Sequence, residues 1–224
     1  MLPFITVATR TDRISIMLGK AYLHRCMIGM VDEEIKRGKK REEVGSCPFC
    51  KSTRVSNRDA FGKIDGLVNN APSIHTGKII DLEMSSWRTN FKANLDAVFL
   101  TTKTVLPWML EAKEGAIVNI ASVVGLKGVA YMSAYGAAKA GLINFSRATA
   151  VEAAPHVRVN CIVPGAVLTP ATERAIPAKE MMETTINAIP LKRIAQPIEL
   201  AHPIAFLLSS DASFITGASL VVDG

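Results

Sequence analysis

The chain has 224 residues, of which 49% are hydrophobic, and it carries a formal net charge of +6 at pH 7. This length and composition predict one domain, residues 1–224, with ample material for a hydrophobic core. No apolar run reaches the roughly eighteen residues of a membrane span, so we expect no association with a membrane.

The four cysteines occur without a secretory signal, which favours a reducing compartment and predicts a cytoplasmic protein. The first 25 residues hold four basic residues and one acid, a weak resemblance to a transit peptide. A mitochondrial location is therefore the alternative. The same residues also fit the first strand and helix of a domain, and we favour that interpretation.

The first sixty residues predict strands and a helix in alternation. Residues 4–8 form an apolar strand, and residues 14–25 place apolar side chains at helical spacing. A second strand over 27–31 ends at Asp32, and a weak third strand lies near 53–55. Asp32 would suit the N-cap or first turn of a helix, because Glu33 and Glu34 follow it.

A basic cluster at 36–41 (Lys-Arg-Gly-Lys-Lys-Arg) accounts for most of the positive charge. Such a run also occurs in nucleic-acid-binding and nuclear-import segments. Acids stand on both sides of it here, which favours a solvated helix end. We therefore predict no nucleic-acid partner.

Cys47 and Cys50 form a Cys-x-x-Cys pair, and His24 and Cys26 lie upstream. Together these four side chains could ligate zinc, and the pair alone could be a redox site. A structural zinc site usually has two tight pairs, whereas His24 and Cys26 are separated by one residue. We favour reduced cysteines in a loop and predict no metal.

The remaining chain predicts four further strands, at 66–68, 116–120, 158–163 and 219–222. Helical segments alternate with them, including one over 86–112 that we expect to bend or end near Pro107, and one over 135–153. This alternation predicts a doubly wound, Rossmann-type α/β fold with a mostly parallel sheet.

Tyr135, Lys139 and Ser122 carry the chemistry that the sequence suggests. Residues four apart share one face of a helix, so the lysine would lie beside the phenol and lower the pKa of Tyr135 toward working pH. That pairing would make Tyr135 a general acid/base. Ser122 follows a buried strand, where α/β sheets place ligand-binding groups. The plainer alternative is a surface tyrosine beside an extended lysine.

Several segments occur with these residues in a characteristic order, at 67–71 (Leu-Val-Asn-Asn-Ala), 157–165 (ending in Pro-Gly) and 214–224. From about residue 61 to residue 224, the chain resembles the short-chain dehydrogenase/reductase family. The resemblance implies an oxidoreductase that interconverts a secondary alcohol and a ketone with NAD or NADP. The implied substrate is a small-molecule alcohol or ketone.

The same resemblance implies a role for each matching residue. Tyr135 is implied as the acid/base, Ser122 as the partner of the reacting oxygen, Lys139 as the residue that also holds the ribose, and Asn94 as the residue that positions a proton-relay water. The implied cofactor-binding residues are Asp32, Asn69, Ala71, Tyr135, Lys139, Pro164, Gly165, Val167 and Thr169. Pro72 departs from the glycine that is usual in the family, which reshapes that turn.

The first third of the chain departs most from the family. If Thr6 holds the family's threonine position, Val7, Thr11 and Arg13 replace the three glycines that cradle the pyrophosphate. Asp32 would then bind the adenosine ribose and favour NAD. A helix before residue 61 is missing. These losses keep a second hypothesis open, a relative that has lost the cofactor and serves as a binding or assembly module.

The resemblance also predicts a homodimer or homotetramer, built on two-fold symmetry. The contacts would come from the outer face of the helix over 135–153 and from the closing strand at 220–222. The segment 171–189 resembles the family's variable substrate lid, with Met181, Met182 and Ile186 as apolar contacts.

Overall fold

The fold is built on a five-stranded sheet whose strands lie side by side in chain order. The computed structural model describes residues 4–8, 64–169, 172, 176 and 179–224, and only the backbone of 4–8. The strands are β1 (Phe4–Ala8), β2 (Gly66–Asn70), β3 (Gly115–Ile120), β4 (Val157–Pro164) and β5 (Ser219–Val222). The strand predicted at 27–31, the third strand near 53–55, the helix at 14–25, Asp32, the basic cluster 36–41 and the Cys47–Cys50 pair lie outside these residues.

The helices follow the strands as the alternation predicts. They are α1 (Met84–Phe91), α2 (Ala97–Ala112), α3 (Ser133–Ala153), α4 (Lys179–Ala188) and α5 (Pro197–Leu208). A single π-helical turn, Lys92–Asp96, joins α1 to α2. In the part of the chain described here, no helix is both long enough and apolar enough to cross a bilayer.

The sheet is covered on both faces because successive residues of each strand point to opposite sides. Leu67, Ile117 and Val159 pack under α2 and α3, where Met109 is fully buried. Val118 and Ile162 pack on the other face against α5. β2, β3, β4 and β5 run parallel, and this confirms the predicted doubly wound, mostly parallel α/β fold.

β1 differs from its expected orientation, since it pairs with β2 antiparallel. Phe4 lies opposite Asn70 and Ala8 lies opposite Gly66. In the dinucleotide-binding fold, the first strand is parallel to its neighbours, and its carboxyl end leads into the phosphate-binding turn. Here the carboxyl end of β1 lies at the edge where the parallel strands begin. Val7 therefore lies within a strand and not in a turn, whereas Thr11 and Arg13, the other two residues expected to replace the glycines, lie outside the described residues.

The predicted helix does not end near Pro107, and a bend at this residue stays a prediction. It continues through Pro107 to Ala112, because the neighbouring side chains Val105 and Met109 are anchored in the core. The departure from α geometry lies earlier, at the π turn Lys92–Asp96, which contains Asn94.

Candidate active site

Ser122 lies just past the carboxyl end of β3, with extended backbone. Its hydroxyl oxygen accepts a hydrogen bond from the Val124 amide at 3.3 Å, and a short 3-10 turn, Val123–Gly125, follows. A serine at the start of a turn commonly caps it in this way. The cap fixes the side chain at the sheet edge where ligands bind in this class of fold.

Two glycines allow α3 to approach this turn closely. A Cβ on Gly125 would lie 2.8 Å from the carbonyl carbon of Lys139, and a Cβ on Gly136 would lie 2.9 Å from the oxygen of Val124. Any larger residue would therefore push the helix away from the turn. The close contact places Tyr135 near enough to Ser122 for the serine hydroxyl to act on the pKa of the phenol.

Tyr135 and Lys139 lie on the buried face of α3, as their spacing predicts. Tyr135 is 6% exposed and Lys139 is 3% exposed. The Lys139 ammonium donates to the Ile120 carbonyl oxygen at 2.7 Å and lies 5.7 Å from the centre of the Tyr135 ring. The structure thus brings together Ser122, Tyr135 and Lys139, so Tyr135 is not the surface tyrosine of the plainer alternative.

Burial controls the protonation of this group and corrects one expectation. The pKa of Tyr135 is raised, because burial disfavours the phenolate, and the Ser122 hydrogen bond opposes this rise. Burial lowers the pKa of Lys139 to about 8, with the nearby Cys161 opposing the change. In the protein without ligand, the pKa of Tyr135 is therefore raised rather than lowered as predicted, and the phenol is protonated at neutral pH.

The buried lysine gives a testable dependence of stability on pH. Because the pKa of Lys139 falls from 10.5 to about 8 on folding, the unfolded chain binds an extra proton between these values. Stability should therefore rise with pH through this window, by up to about 3 kcal/mol for the full difference. We expect urea unfolding at several pH values to show this rise relative to Lys139→Met, which has no charge to bury. If the difference in unfolding free energy between the two proteins does not change with pH, the lowered pKa of Lys139 is contradicted. The raised pKa values of Cys161, to about 11, and of Tyr135 act oppositely above their ordinary values of 9 and 10, and both groups are retained in Lys139→Met, so the comparison isolates the lysine.

Asn94 lies in the π turn with its side chain fully engaged. Its amide nitrogen donates to the Ser73 carbonyl oxygen at 2.6 Å and to the Asn90 carbonyl oxygen at 2.9 Å. Its side-chain oxygen accepts from the Ser73 amide at 3.4 Å. π turns inside helices are frequent at functional sites.

Asn90 is a residue that the sequence analysis missed. It is fully buried, and it holds both the amide and the carbonyl of His75, at 3.3 and 3.0 Å. With Asn94 it fixes the extended segment after β2. The available signal was the pair of asparagines four residues apart, since asparagine is unfavourable inside helices without a specific partner.

The Asn69 side chain is directed into the core near the carboxyl end of β2. It is 4% exposed, donates to the Asn119 side-chain oxygen at 2.8 Å and accepts from the Thr101 hydroxyl at 2.7 Å. The cofactor contact of Asn69 stays a prediction, and its main chain is the part of the residue left to make that contact. Ala71 lies beyond the strand end and is partly exposed.

The segment after β4 continues along the same sheet edge as Ser122. A Cβ on Gly165 would lie 2.8 Å from the Cβ of Asp223, so glycine allows the ends of β4 and β5 to meet. Val167 pairs with Ala195, and the Thr169 hydroxyl accepts from the Thr172 amide at 3.2 Å. Pro164, Gly165, Val167 and Thr169 therefore line one side of the cleft edge and are all partly exposed.

Residues 43–224 match the family model described as Enoyl-(Acyl carrier protein) reductase. The chain is 39% identical over 165 residues to a 3-oxoacyl-(acyl-carrier-protein) reductase of Thermotoga maritima, covering 73% of this chain and 66% of that protein. It is 38% identical over 163 residues to a cyclopentanol dehydrogenase of a Comamonas species, covering 72% of this chain and 65% of that protein. The chain thus spans slightly less than two thirds of the length of these relatives.

Among solved structures, an NAD+-bound xylitol dehydrogenase has the same fold. Its TM-score is 0.72 at 30% identity, and the match covers 76% of this chain and 72% of that chain.

Proposed function

This chain belongs to the short-chain dehydrogenase/reductase family, and we propose that it interconverts a secondary alcohol and a ketone with NAD or NADP as cofactor. The observation that carries the proposal is the grouping of Ser122, Tyr135 and Lys139 at the carboxyl end of β3, with the Lys139 ammonium 5.7 Å from the centre of the Tyr135 ring and bonded to the Ile120 carbonyl oxygen. This arrangement presents two hydroxyl groups to one reacting oxygen. The dehydrogenase and reductase relatives support the same class of reaction.

The nicotinamide half of such a cofactor fits the residues present. Lys139 and Tyr135 offer a cation and a hydroxyl suited to ribose hydroxyl groups, and the partly exposed main chain from Gly165 to Thr169 borders the same cleft. When bound, the nicotinamide ring donates or accepts the hydride. The carboxyl end of β1, which in this fold leads into the phosphate-binding turn, lies here beside Gly66 at the opposite edge of the sheet.

The protein residues manage the proton. In reduction, the hydroxyl of Tyr135 gives its proton to the carbonyl oxygen as that oxygen gains negative charge, and in oxidation it takes the alcohol proton back. The Ser122 hydroxyl donates a hydrogen bond to the same oxygen, which stabilises the developing charge. The Lys139 ammonium stabilises the phenolate that remains. Asn94, which fixes the segment after β2 through Ser73, is proposed to hold the water that resupplies the proton.

The direct experiment follows oxidation of NADH or NADPH with a panel of cyclic ketones, beginning with cyclopentanone. We expect consumption of the reduced cofactor only when a ketone is present. Consumption that is absent for every ketone and for both cofactors would contradict the proposal. The segment 179–188, which forms α4 and exposes Met181, is the proposed source of substrate contacts.

The reversed β1 favours one alternative, a family member that has lost the adenosine-binding half and acts as a binding or assembly module. It yields a prediction about affinity. Because Val7 lies within β1 opposite Leu67, and not in a turn, replacing Val7 with glycine should leave the NADH dissociation constant within about twofold. Fluorescence titration measures this. Binding that tightens strongly would show that a parallel first strand forms and that the glycine positions matter.

We also propose a homodimer or homotetramer. The outer face of α3 exposes small residues, Ala137, Ala140 and Ala148, and Phe99 of α2 stands beside it with 46% exposure, in edge contact with Phe145. β5 is an edge strand with Leu220 and Val221 exposed. Light scattering on the purified chain tests the proposal, and a monomer at micromolar concentration would contradict it.

A further inference from the structure

A row of buried hydrogen bonds crosses the sheet beneath the candidate active site. The Thr101 hydroxyl of α2 donates to the Asn69 side-chain oxygen, and Asn69 donates to Asn119 at 2.8 Å. Asn119 donates to the Ser146 hydroxyl oxygen at 2.9 Å, and Ser146 donates to the Leu142 carbonyl oxygen at 2.8 Å. The row therefore joins α2 to α3 through the two strands between them.

The row is buried from Asn69 to Ser146, and Thr101 at its other end is partly buried. Asn69, Asn119 and Ser146 each lie almost entirely out of contact with solvent. Asn69 and Asn119 are paired neighbours on β2 and β3, so their side chains share one face of the sheet. A buried amide that loses its partner has no water to bond to instead. The free energy lost in this way exceeds the net stabilisation that the hydrogen bond provides. The hydrogen bonds therefore fix the relative positions of the elements that they join.

The row attaches α3 to β3 at a second point, close to the first. Ile120, the residue after Asn119, accepts the Lys139 ammonium at 2.7 Å. Ser146 lies seven residues after Lys139 on the same face of α3, about 10 Å further along the helix axis. Two hydrogen bonds at separate points restrain both the rotation of α3 and its position along β3, in addition to the apolar packing of Leu142 and Ala150.

We propose that Asn119 and Ser146 are positioning residues, whose hydrogen bond sets α3 on β3 so that the Tyr135 hydroxyl meets Ser122. This inference rests on the proposed function, because it assigns these residues to the same reaction. Neither side chain touches the reacting atoms. Ser122 follows Asn119 by three residues on the same stretch of chain, so a shift of α3 relative to β3 directly changes the Tyr135–Ser122 distance.

The first test removes the hydroxyl with Ser146→Ala. We expect kcat to fall roughly tenfold with KM within about twofold, since misplaced catalytic groups lower the rate rather than binding. Ser146→Thr keeps a hydroxyl and should restore most of the rate. Thr149→Ala is the matched control, because Thr149 is also buried on α3 but bonds only to the Phe145 carbonyl oxygen of its own helix. Equal effects of Ser146→Ala and Thr149→Ala on kcat would overturn the proposal.

A double-mutant cycle tests whether Asn119 and Ser146 affect kcat through the same hydrogen bond. If Asn119 and Ser146 act through one bond, the variant with both Asn119→Ala and Ser146→Ala should lose no more kcat than the more affected single variant. Losses that multiply would show independent roles and would overturn the assignment.

A measurement that needs no turnover keeps the two proposals distinguishable. The ultraviolet difference titration of Tyr135, identified by its loss in Tyr135→Phe, should move to higher pH in Ser146→Ala, because the Ser122 bond that opposes the raised pKa is weakened. The titratable neighbours, Lys139 on α3 and Cys161 on β4, are unchanged in this variant. An unmoved midpoint would overturn the positioning role. Absent ketone reduction by the wild-type chain, with a moved midpoint, would instead reject the proposed function.

Discussion

Replacing Tyr135 with phenylalanine is expected to lower the rate of ketone reduction by about a thousandfold, within the range for a positioned general acid. The substitution removes the only hydroxyl group that both contacts Ser122 and lies beside the Lys139 ammonium among the residues described. The ring itself stays, so the packing of this buried side chain is preserved. Initial rates of NADH oxidation at saturating ketone measure the loss.

Tyr131→Phe is the matched control for this substitution. Tyr131 lies four residues before Tyr135 and is 59% exposed, so loss of its hydroxyl should leave the rate nearly unchanged. Circular dichroism and thermal unfolding should show the native fold in both variants. If Tyr135→Phe keeps about a tenth or more of the wild-type rate, Tyr135 is not the general acid of the proposed mechanism.

Replacing Gly125 with alanine is the second change with a large expected effect. The added methyl group would lie 2.8 Å from the Lys139 carbonyl carbon and 2.9 Å from the Ala140 nitrogen. These are backbone atoms and cannot move aside as a flexible side chain would. We expect α3 to be displaced from the Val123–Gly125 turn, with a loss of about 1–3 kcal/mol in the free energy of unfolding. The displacement separates Tyr135 from Ser122 and should lower kcat about a hundredfold.

Gly128→Ala provides the comparison, because a Cβ at Gly128 meets no atom within 4 Å. Both substitutions lower the conformational entropy of the unfolded chain by the same amount. The difference in unfolding free energy between the two variants therefore measures the steric contact at Gly125. Urea unfolding gives the stability of each variant, and steady-state kinetics give kcat. Should Gly125→Ala behave like Gly128→Ala in both measurements, close contact between α3 and the turn would not be required for the site.

The strands of the second half were predicted closely because each is a short apolar run bounded by a turn. The predicted strand 116–120 is Gly115–Ile120 in the structure, 158–163 is Val157–Pro164, and 219–222 is unchanged. Their parallel arrangement also follows from the alternation with helices, since a crossover must return the chain to the same end of the sheet. The spacing of apolar residues depends only on neighbours in the chain, and for these strands it was sufficient to predict their bounds.

Contacts between distant segments were not accessible in the same way. Asn69 belongs to a conspicuous motif, yet its side chain is bonded to Asn119, fifty residues away, in the core. The sequence analysis gave Asn90 no role, although its side chain bonds the backbone of His75. The pKa of Tyr135 depends on the low polarity of its surroundings, and that is decided by all the elements packed around it.

The sequence by itself determined the order of strands and helices, the spacing that places Tyr135 and Lys139 on one helical face, and the position of Ser122 at a strand end. Each depends on residues close together in the chain, where helical and extended periodicities fix geometry directly. Only the tertiary structure decided the direction of β1 and the burial that raises the pKa of Tyr135. A strand of five residues can pair in either direction, and the neighbouring strand decides which direction it takes. The desolvation of Tyr135 likewise depends on side chains from segments distant in the sequence.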